Sequence, residues 1–223
     1  MVSQSRTRSY TRSRSVLGAA AAAAILTTSL QAFAAAPAPR KVAATAGHIG
    51  NFSSGEMHAK TGAGWAAFHM AQGGEQPTAS CSVVSDAATK KKALRFEGKI
   101  AEGAQYAFIG VGWAYPTSDA SAPEPVDVSV FKGIRFRVRG DENPYRLQFL
   151  TSAVKDYNYH GRTFVAEKEW TTVEVPFTEL KQTEGWGTPV VFSPKDVTVV
   201  SFGTMFQFNG AAWFEIADVE FYK

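Results

Sequence analysis

The sequence predicts an all-β protein, an antiparallel sandwich of two sheets. Apolar residues recur at every second position in short runs at 107–113, 134–138, 145–149 and 173–177, which is the period of a half-buried strand. Residues 198–208 and 213–222 are rich in β-branched and aromatic side chains, which favour a pleated surface. Turn-forming residues separate the runs, and no window of about a dozen residues has a sustained helical period. Many short strands without helical crossovers favour two packed antiparallel sheets.

The N-terminal residues have the three parts of a secretory signal peptide. Four arginines come first, followed by the apolar run VLGAAAAAAILTTSL and the small-residue pattern Ala32-Phe33-Ala34. We therefore expect a signal peptide at 1–34, a linker at 35–47, one domain at 48–223, and a secreted or periplasmic location. Mitochondrial transit peptides share the arginine- and serine-rich, acid-poor composition, so a mitochondrial location is the alternative.

Charge and cysteine content exclude several classes of function. The formal net charge is +3, and loss of the four N-terminal arginines leaves −1, which does not favour nucleic acid or an anionic membrane surface. The apolar run is shorter than the ~20 residues of a stable membrane span. Cys81 is the single cysteine, which excludes an intramolecular disulfide and a thiolate metal cluster. The motifs of common hydrolases, nucleotide-binding proteins and zinc enzymes are absent, so we predict no enzyme.

Three arginines occupy alternate positions in the segment GIRFRVRG. With Ile134, Phe136 and Val138 in the core, the pleat turns Arg135, Arg137 and Arg139 to the outer face of the same strand. The turn at 140–144 predicts a hairpin, whose second strand would expose Arg146 and Gln148 on the same face. This face has two interpretations: a binding surface, or the solvated side of a sheet kept soluble by charge.

Three segments carry a resemblance to a known group. They are VDVSVFKGIRFRVRGDENPYRLQFLTS at 126–152, EWTTVEVPFTEL at 169–180 and FEIADVEFYK at 214–223. Together they resemble the galactose-binding-like jelly-roll group, which contains the family-11 carbohydrate-binding modules and the complex I intermediate-associated proteins. The resemblance covers nearly the whole chain after the predicted linker. It implies a two-sheet antiparallel jelly-roll β-sandwich and a binding function.

We predict an exported, non-catalytic module that binds a glycan of the β-glucan type on one sheet face. The alternative is an assembly factor of the complex I intermediate-associated type, or another protein-binding module, that uses the same face for a protein partner. Fold alone does not decide between them.

The predicted glycan site combines outward strand residues with the loop segment KDYNYHGRTF at 155–164. Aromatic rings there can stack on sugar faces, while amide, carboxylate and guanidinium groups hydrogen-bond to hydroxyl groups. The alternative for the loop is that its tyrosines pack over a sheet edge. The predicted floor is Arg135, Arg137, Arg146 and Gln148; the predicted wall is Asp156, Tyr159 and His160; Tyr106 or Trp186 are further stacking candidates.

A weak structural calcium site is the one cofactor that we expect, and the resemblance is its basis. Members of the group often use acidic residues near the first strand and an aspartate in the last strand as calcium ligands. This chain has Asn51 in place of such an acid and keeps Asp218. Because calcium takes six to eight oxygen ligands, fewer carboxylates imply weak binding. Asp218 could equally serve only as a hydrogen-bond acceptor at a strand end.

The signal peptide generates the first testable prediction. The mature protein should begin within a residue or two of Ala35 and be recovered outside the cytoplasm, because Ala32-Phe33-Ala34 is a cleavage pattern. Intact-mass measurement of native protein checks this. A mass that still includes Arg6 to Arg14 would contradict it.

Overall fold

Alternating apolar residues build two antiparallel sheets that face each other across a shared core. The computed structural model describes residues 40–41, 47–58, 64–86, 90–114, 124–206 and 208–223. The predicted signal peptide lies outside these residues, as does the predicted linker apart from residues 40, 41 and 47. The predicted domain boundaries therefore stay predictions.

Strands account for most of the regular structure in these residues; the remaining element is a single 3₁₀ turn at Phe177–Glu179. In chain order the strands are β1 Arg40–Lys41, β2 His48–Gly50, β3 Gly64–Met70, β4 Thr78–Ser85, β5 Lys92–Ile100, β6 Phe108–Ala114, β7 Val126–Asp127, β8 Gly133–Gly140, β9 Pro144–Thr151, β10 His160–Val165, β11 Thr171–Pro176, β12 Val197–Thr204 and β13 Gly210–Tyr222.

The strands form two sheets, which we call the front sheet and the back sheet. The front sheet has the order β10-β9-β12-β6-β3, with β7 beside the start of β12 and β1 parallel to β7. The back sheet has the order β11-β8-β13-β5-β4, with β2 beside the end of β13. Apart from the short β1–β7 pair, every pairing is antiparallel. The predicted two-sheet antiparallel sandwich is confirmed.

Aromatic side chains from both sheets fill the space between them. Phe136 of the back sheet lies 4.9 Å from Phe202 and 5.2 Å from Phe164 of the front sheet, in edge-to-face contact. Phe214 of the back sheet meets Tyr145 of the front sheet at 4.8 Å in the same geometry. Each such pair contributes about 0.5–1.5 kcal/mol beyond the burial of its area. The inward positions predicted for β8 and β9 are therefore correct.

The turn at 140–144 does not form the predicted hairpin. β8 pairs with β11 and β13, whereas β9 pairs with β10 and β12, so the chain crosses from the back sheet to the front sheet here. Backbone groups hold the crossing: the Gly140 amide donates to the Glu167 carbonyl and the Glu142 amide donates to the Ala166 carbonyl. Glu142 has φ 64°, a left-handed conformation typical of a tight corner.

The carboxylate of Asp141 closes this corner. It accepts hydrogen bonds from the Asn143 amide at 3.1 Å, the Tyr145 hydroxyl at 2.8 Å and the Trp213 amide at 2.9 Å. Burial, with the neighbouring Asp141 charge, raises the pKa of Tyr145, which keeps its hydroxyl a donor. One side chain thus joins the end of β8, the start of β9 and the middle of β13.

A buried carboxylate ties the central strands of the back sheet together. Glu215 of β13 lies directly opposite Arg95 of β5 and Arg139 of β8 in the strand register. Its two oxygens lie 3.1 Å from Arg95 Nη1 and 2.8 Å from Arg139 Nη2. The Arg95 guanidinium also covers the Trp213 ring at 4.3 Å.

Removal of this carboxylate should destabilise the sandwich. We expect Glu215→Ala to lower the free energy of unfolding by about 2 kcal/mol, because two partly desolvated guanidinium groups each lose one of their two carboxylate partners. The matched control is Glu174→Ala, whose exposed carboxylate lies 4.0 Å from Arg135 and should cost within about 0.5 kcal/mol. Urea unfolding of both variants measures the difference. Equal losses would show that Glu215 has no special role.

Candidate functional site

The structure separates the predicted floor residues onto opposite faces of the sandwich. Arg135 and Arg137 project from β8 on the outer side of the back sheet. Arg146 and Gln148 project from β9 on the outer side of the front sheet. The prediction that they share one face is wrong, because the turn between β8 and β9 changes sheets. Their roles in binding stay predictions, now for two different surfaces.

Carboxylates neutralise the back-sheet arginines. Arg135 pairs with Glu220, directly opposite on β13, and this interaction raises the pKa of Arg135. Arg137 lies 3.4 Å from Asp218 and its guanidinium lies 4.8 Å from the centre of the Trp170 ring. Both arginines therefore have a carboxylate partner within the protein, as expected for the solvated face of a half-buried sheet.

An open pocket of about 620 Å³ lies at the end of this back-sheet face. Arg135, His48, Glu174, Glu220 and Tyr222 contribute to its lining. His48 Nε2 lies 2.9 Å from Glu220, which also pairs with Arg135. Glu220 of this pocket is therefore already engaged by Arg135 and His48.

Small residues form the middle of the outer face of the front sheet. Strand alternation and register place two adjacent rows there, running from β10 through β9, β12 and β6 to β3. The rows are Gly161, Gln148, Ser201, Gly112 and Ala66, and beside it Thr163, Arg146, Gly203, Gly110 and Phe68. Six of these ten residues are glycine, alanine or serine, so the centre of this face is a low floor.

Two larger side chains extend over this floor because glycines leave room for them. A Cβ on Gly110 would lie 2.6 Å from Phe68 Cζ, and a Cβ on Gly203 would lie 3.6 Å from it. A Cβ on Gly161 would lie 2.9 Å from Arg146 Nε and 3.2 Å from its Cζ. The Phe68 ring therefore covers β6 and the Arg146 guanidinium covers β10, with β9 and β12 between them on the same floor.

Arg146 differs from the back-sheet arginines in having no acidic partner. Its Nη2 donates to the Lys181 carbonyl at 2.7 Å, while its Nε is buried and has no hydrogen-bond acceptor. The ion pairs among the described residues all involve other cations. Burial lowers the pKa of Arg146 because the charged form loses hydration.

The predicted wall residues Asp156 and His160 hold two loops together. Asp156 accepts hydrogen bonds from the backbone amides of Thr188, at 2.5 Å, and Asn158, and these bonds lower the Asp156 pKa. The His160 ring is 4% exposed, and its Nε2 lies 2.8 Å from the Val190 carbonyl. Both side chains therefore support the loop, and the His160 ring is buried rather than part of an open surface. Their roles in binding stay predictions.

The exposed aromatic residues lie near the ends of the front sheet. Tyr159 immediately precedes β10 and meets the 67% exposed Tyr157 at 6.3 Å. Tyr106, 60% exposed, precedes β6 and lies 5.9 Å from Phe206, which follows β12. Trp186 is also exposed, in a loop whose backbone accepts a hydrogen bond from the buried Asn158 side chain.

Sequence reasoning missed Phe68, although two signals point to it. Trp65 and Phe68 have opposite parity on β3, so with Trp65 in the core Phe68 must face outward. The alternation Gly110-Val111-Gly112 on the neighbouring strand leaves no outward side chain at positions 110 and 112. Which strand lies beside which was needed to connect these two signals.

Comparison with protein families shows to which family this chain belongs. The family model described as Complex I intermediate-associated protein 30 (CIA30) matches residues 49–216. The chain belongs to the CIA30 family. This confirms the predicted group. No curated protein matches the chain.

Solved structures similar to this CIA30-family chain include carbohydrate-binding modules. One is the family 11 module of the cellulosomal cellulase Lic26A-Cel5E of Clostridium thermocellum, at 15% identity and TM-score 0.57, covering 78% of this chain and 92% of the module. Another is a family 11 module from Clostridium thermocellum in complex with a β-1,3-1,4-mixed-linked tetrasaccharide, at 13% identity and TM-score 0.53, covering 79% and 94%. At these identities the likeness establishes the jelly-roll fold.

The calcium ligands proposed from the sequence are engaged in other contacts. The Asp218 carboxylate pairs with Arg137, and the Asn51 side-chain oxygen accepts the Ser53 amide at 3.1 Å. No group of three or more His, Cys, Asp or Glu residues in the described part of the chain could hold a metal ion. These two side chains alone do not fit the oxygen-rich shell of calcium. A site there remains a prediction.

No helix in the described residues is long and apolar enough to cross a membrane.

The calcium prediction has a thermal test. A site of one engaged carboxylate and one amide binds weakly, so millimolar calcium should raise the melting temperature of this CIA30-family protein by no more than about 2–4 °C. Differential scanning calorimetry with calcium and with a chelator measures it. Unfolding of the protein by chelator alone would show that calcium is an essential part of the structure.

Proposed function

We propose that this protein is an exported, non-catalytic module that binds a β-glucan-like chain across the outer face of the front sheet. The observation that carries the proposal is the Phe68 ring over a glycine floor, on the same outer face as Arg146 and Gln148. Its likeness in fold to family 11 carbohydrate-binding modules supports the proposal. So do the exposed aromatic residues at both ends of the same sheet.

The chemistry of this face suits a sugar polymer. A pyranose ring has an apolar face, which stacks on an aromatic plate such as Phe68, and a rim of hydroxyl groups. Gln148 offers both a donor and an acceptor to those hydroxyl groups, and Thr163 offers a hydroxyl of its own. Since the floor is made of small residues, an extended chain can approach the sheet closely. Tyr106 and Tyr157 would then contact neighbouring sugar units beyond the floor.

The same face lacks the groups that cleave a glycan. Glycoside hydrolysis commonly uses two carboxyl groups on either side of the scissile bond. Among the described residues of the two central rows there is no aspartate or glutamate. This supports binding without catalysis.

A second candidate function, docking of another protein, maps to the back sheet. There the guanidinium groups of Arg137 and Arg139 lie 4.8 Å and 5.1 Å from the centre of the Trp170 ring. Tryptophan and arginine are enriched among the residues that dominate protein interfaces. Membership of the CIA30 family, whose name refers to association with a complex I intermediate, favours this candidate. The two candidate functions therefore use opposite faces, which makes them separable by mutation.

The glycan proposal predicts which face matters. Phe68→Ala should weaken binding of soluble mixed-linkage β-glucan at least about fivefold, because aromatic anchors typically contribute more than ~1 kcal/mol. Arg137→Ala, from the arginine row of the back sheet, should leave the affinity within about twofold. Isothermal calorimetry on both variants, with circular dichroism to check folding, measures this.

Two results would contradict the proposal. If Arg137→Ala weakens binding and Phe68→Ala does not, the glycan binds the back sheet. If the unmodified protein binds none of a broad panel of soluble and insoluble glycans, glycan binding is not its function and the docking candidate replaces it.

A further inference from the structure

Across strands β10, β9, β12, β6 and β3, the outward positions of the front sheet carry one charge and no counter-charge. Besides the two central rows, the outward positions of these five strands are Val165, Pro144, Phe108 and Met70 towards one end and Leu150, Val199, Ala114 and Gly64 towards the other. Arg146 is the single charged residue among all these positions. Its neighbours in the register, Thr163 and Gly203, are uncharged.

On the back sheet, by contrast, outward arginines have acidic partners within the protein. There Arg135 lies opposite Glu220, and Arg139 lies opposite Glu215, each as a direct cross-strand pair. A guanidinium stays protonated even when partly buried, so its loss of hydration has to be compensated by a partner. For Arg146 the protein supplies one backbone carbonyl and leaves Nε without an acceptor.

We propose that the front face selects glycans bearing a carboxylate, such as polymers that contain uronic acid units, and that Arg146 is the partner of that carboxylate. The inference rests on the proposed function and adds the charge of the ligand to it. A carboxylate of the glycan would supply the negative charge that Arg146 lacks among its neighbours. It would form charge-assisted hydrogen bonds to the planar fork of N–H groups of the guanidinium.

The surroundings of Arg146 strengthen an interaction with an anion. Its guanidinium lies against Gly161, and no carboxylate of the described residues competes for it. The Phe68 ring covers Gly110 and reaches the position beside Gly203, the residue across the register from Arg146. A glycan chain that crosses the strands can therefore stack one sugar unit on Phe68 while the carboxylate of another unit reaches the Arg146 guanidinium over β10.

Two polymers with the same backbone test the inference. One is soluble mixed-linkage β-glucan, and the other is the same polymer oxidised at C6 so that part of its hydroxymethyl groups become carboxylates. The protein should bind the oxidised polymer about tenfold more tightly at low ionic strength. The preference should shrink in about 1 M salt, where the Debye length falls to ~3 Å.

Arg146→Gln should remove this preference, lowering affinity for the oxidised polymer about tenfold more than it lowers affinity for the neutral polymer. The matched control is Arg162→Gln, an arginine on adjacent β10 that pairs with Glu179; it should preserve the preference. Arg146→Lys keeps a charge without the fork and should retain part of it. Circular dichroism confirms that each variant is folded.

The outcomes separate this inference from the proposed function. Equal binding of both polymers by the unmodified protein overturns the role of a carboxylate and leaves glycan binding intact. Binding of neither polymer, nor of any other glycan, removes the proposed function itself. A preference that survives Arg146→Gln, or that Arg162→Gln removes equally, overturns the assignment to Arg146. If Arg146→Gln fails to fold, the salt dependence of the unmodified protein and the Arg146→Lys variant decide.

Discussion

The hydrogen bonds of Asp141 fix where the chain passes from one sheet to the other, and the arrangement of both outer faces depends on that passage. Its carboxylate binds the amides of Asn143 and Trp213 and the hydroxyl of Tyr145. Asn143 belongs to the corner, Trp213 to the last strand, β13, and Tyr145 to the start of β9 in the front sheet. Because Asp141 holds them together, β8 and β9 lie in different layers although only a short turn separates them.

The two faces that result are built on different physical principles. On the back sheet, charge balance comes from within: acidic residues of β11 and β13 lie opposite the basic residues of β8. The front sheet is defined by its shape rather than by charge pairs. Glycines bring the backbone close to the surface, and Phe68 and Arg146 lie across it. A self-neutralised surface needs nothing from outside to be stable, whereas a face with an uncompensated cation is improved by a partner. This contrast is why the front sheet is the better candidate for a small, chemically specific ligand.

The fold class was predictable from the sequence because its signals are local. The burial of Ile134, Phe136 and Val138 follows from alternation within one strand, and so does the outward direction of Arg137. Strand pairing was not predictable in the same way, since a hairpin and a corner between sheets use the same turn residues. Arg146 and Gln148 were correctly placed on an outer face but assigned to the wrong sheet. The burial of His160 depends on the distant segment near Val190, which no local pattern reveals.

The glycine floor also limits how the front face can change during evolution. At Gly110 and Gly161 an added methyl group would meet backbone carbonyl oxygens at 2.4 Å and 2.3 Å, so the backbone itself forms the surface there. Related chains can exchange the signs of opposed charges on the back sheet pair by pair without altering the strands. On the front sheet they can diversify only through the few side chains that lie on the floor and the aromatic residues at its ends. New ligand preferences in this lineage would therefore arise from a small number of positions, with the scaffold beneath them held constant.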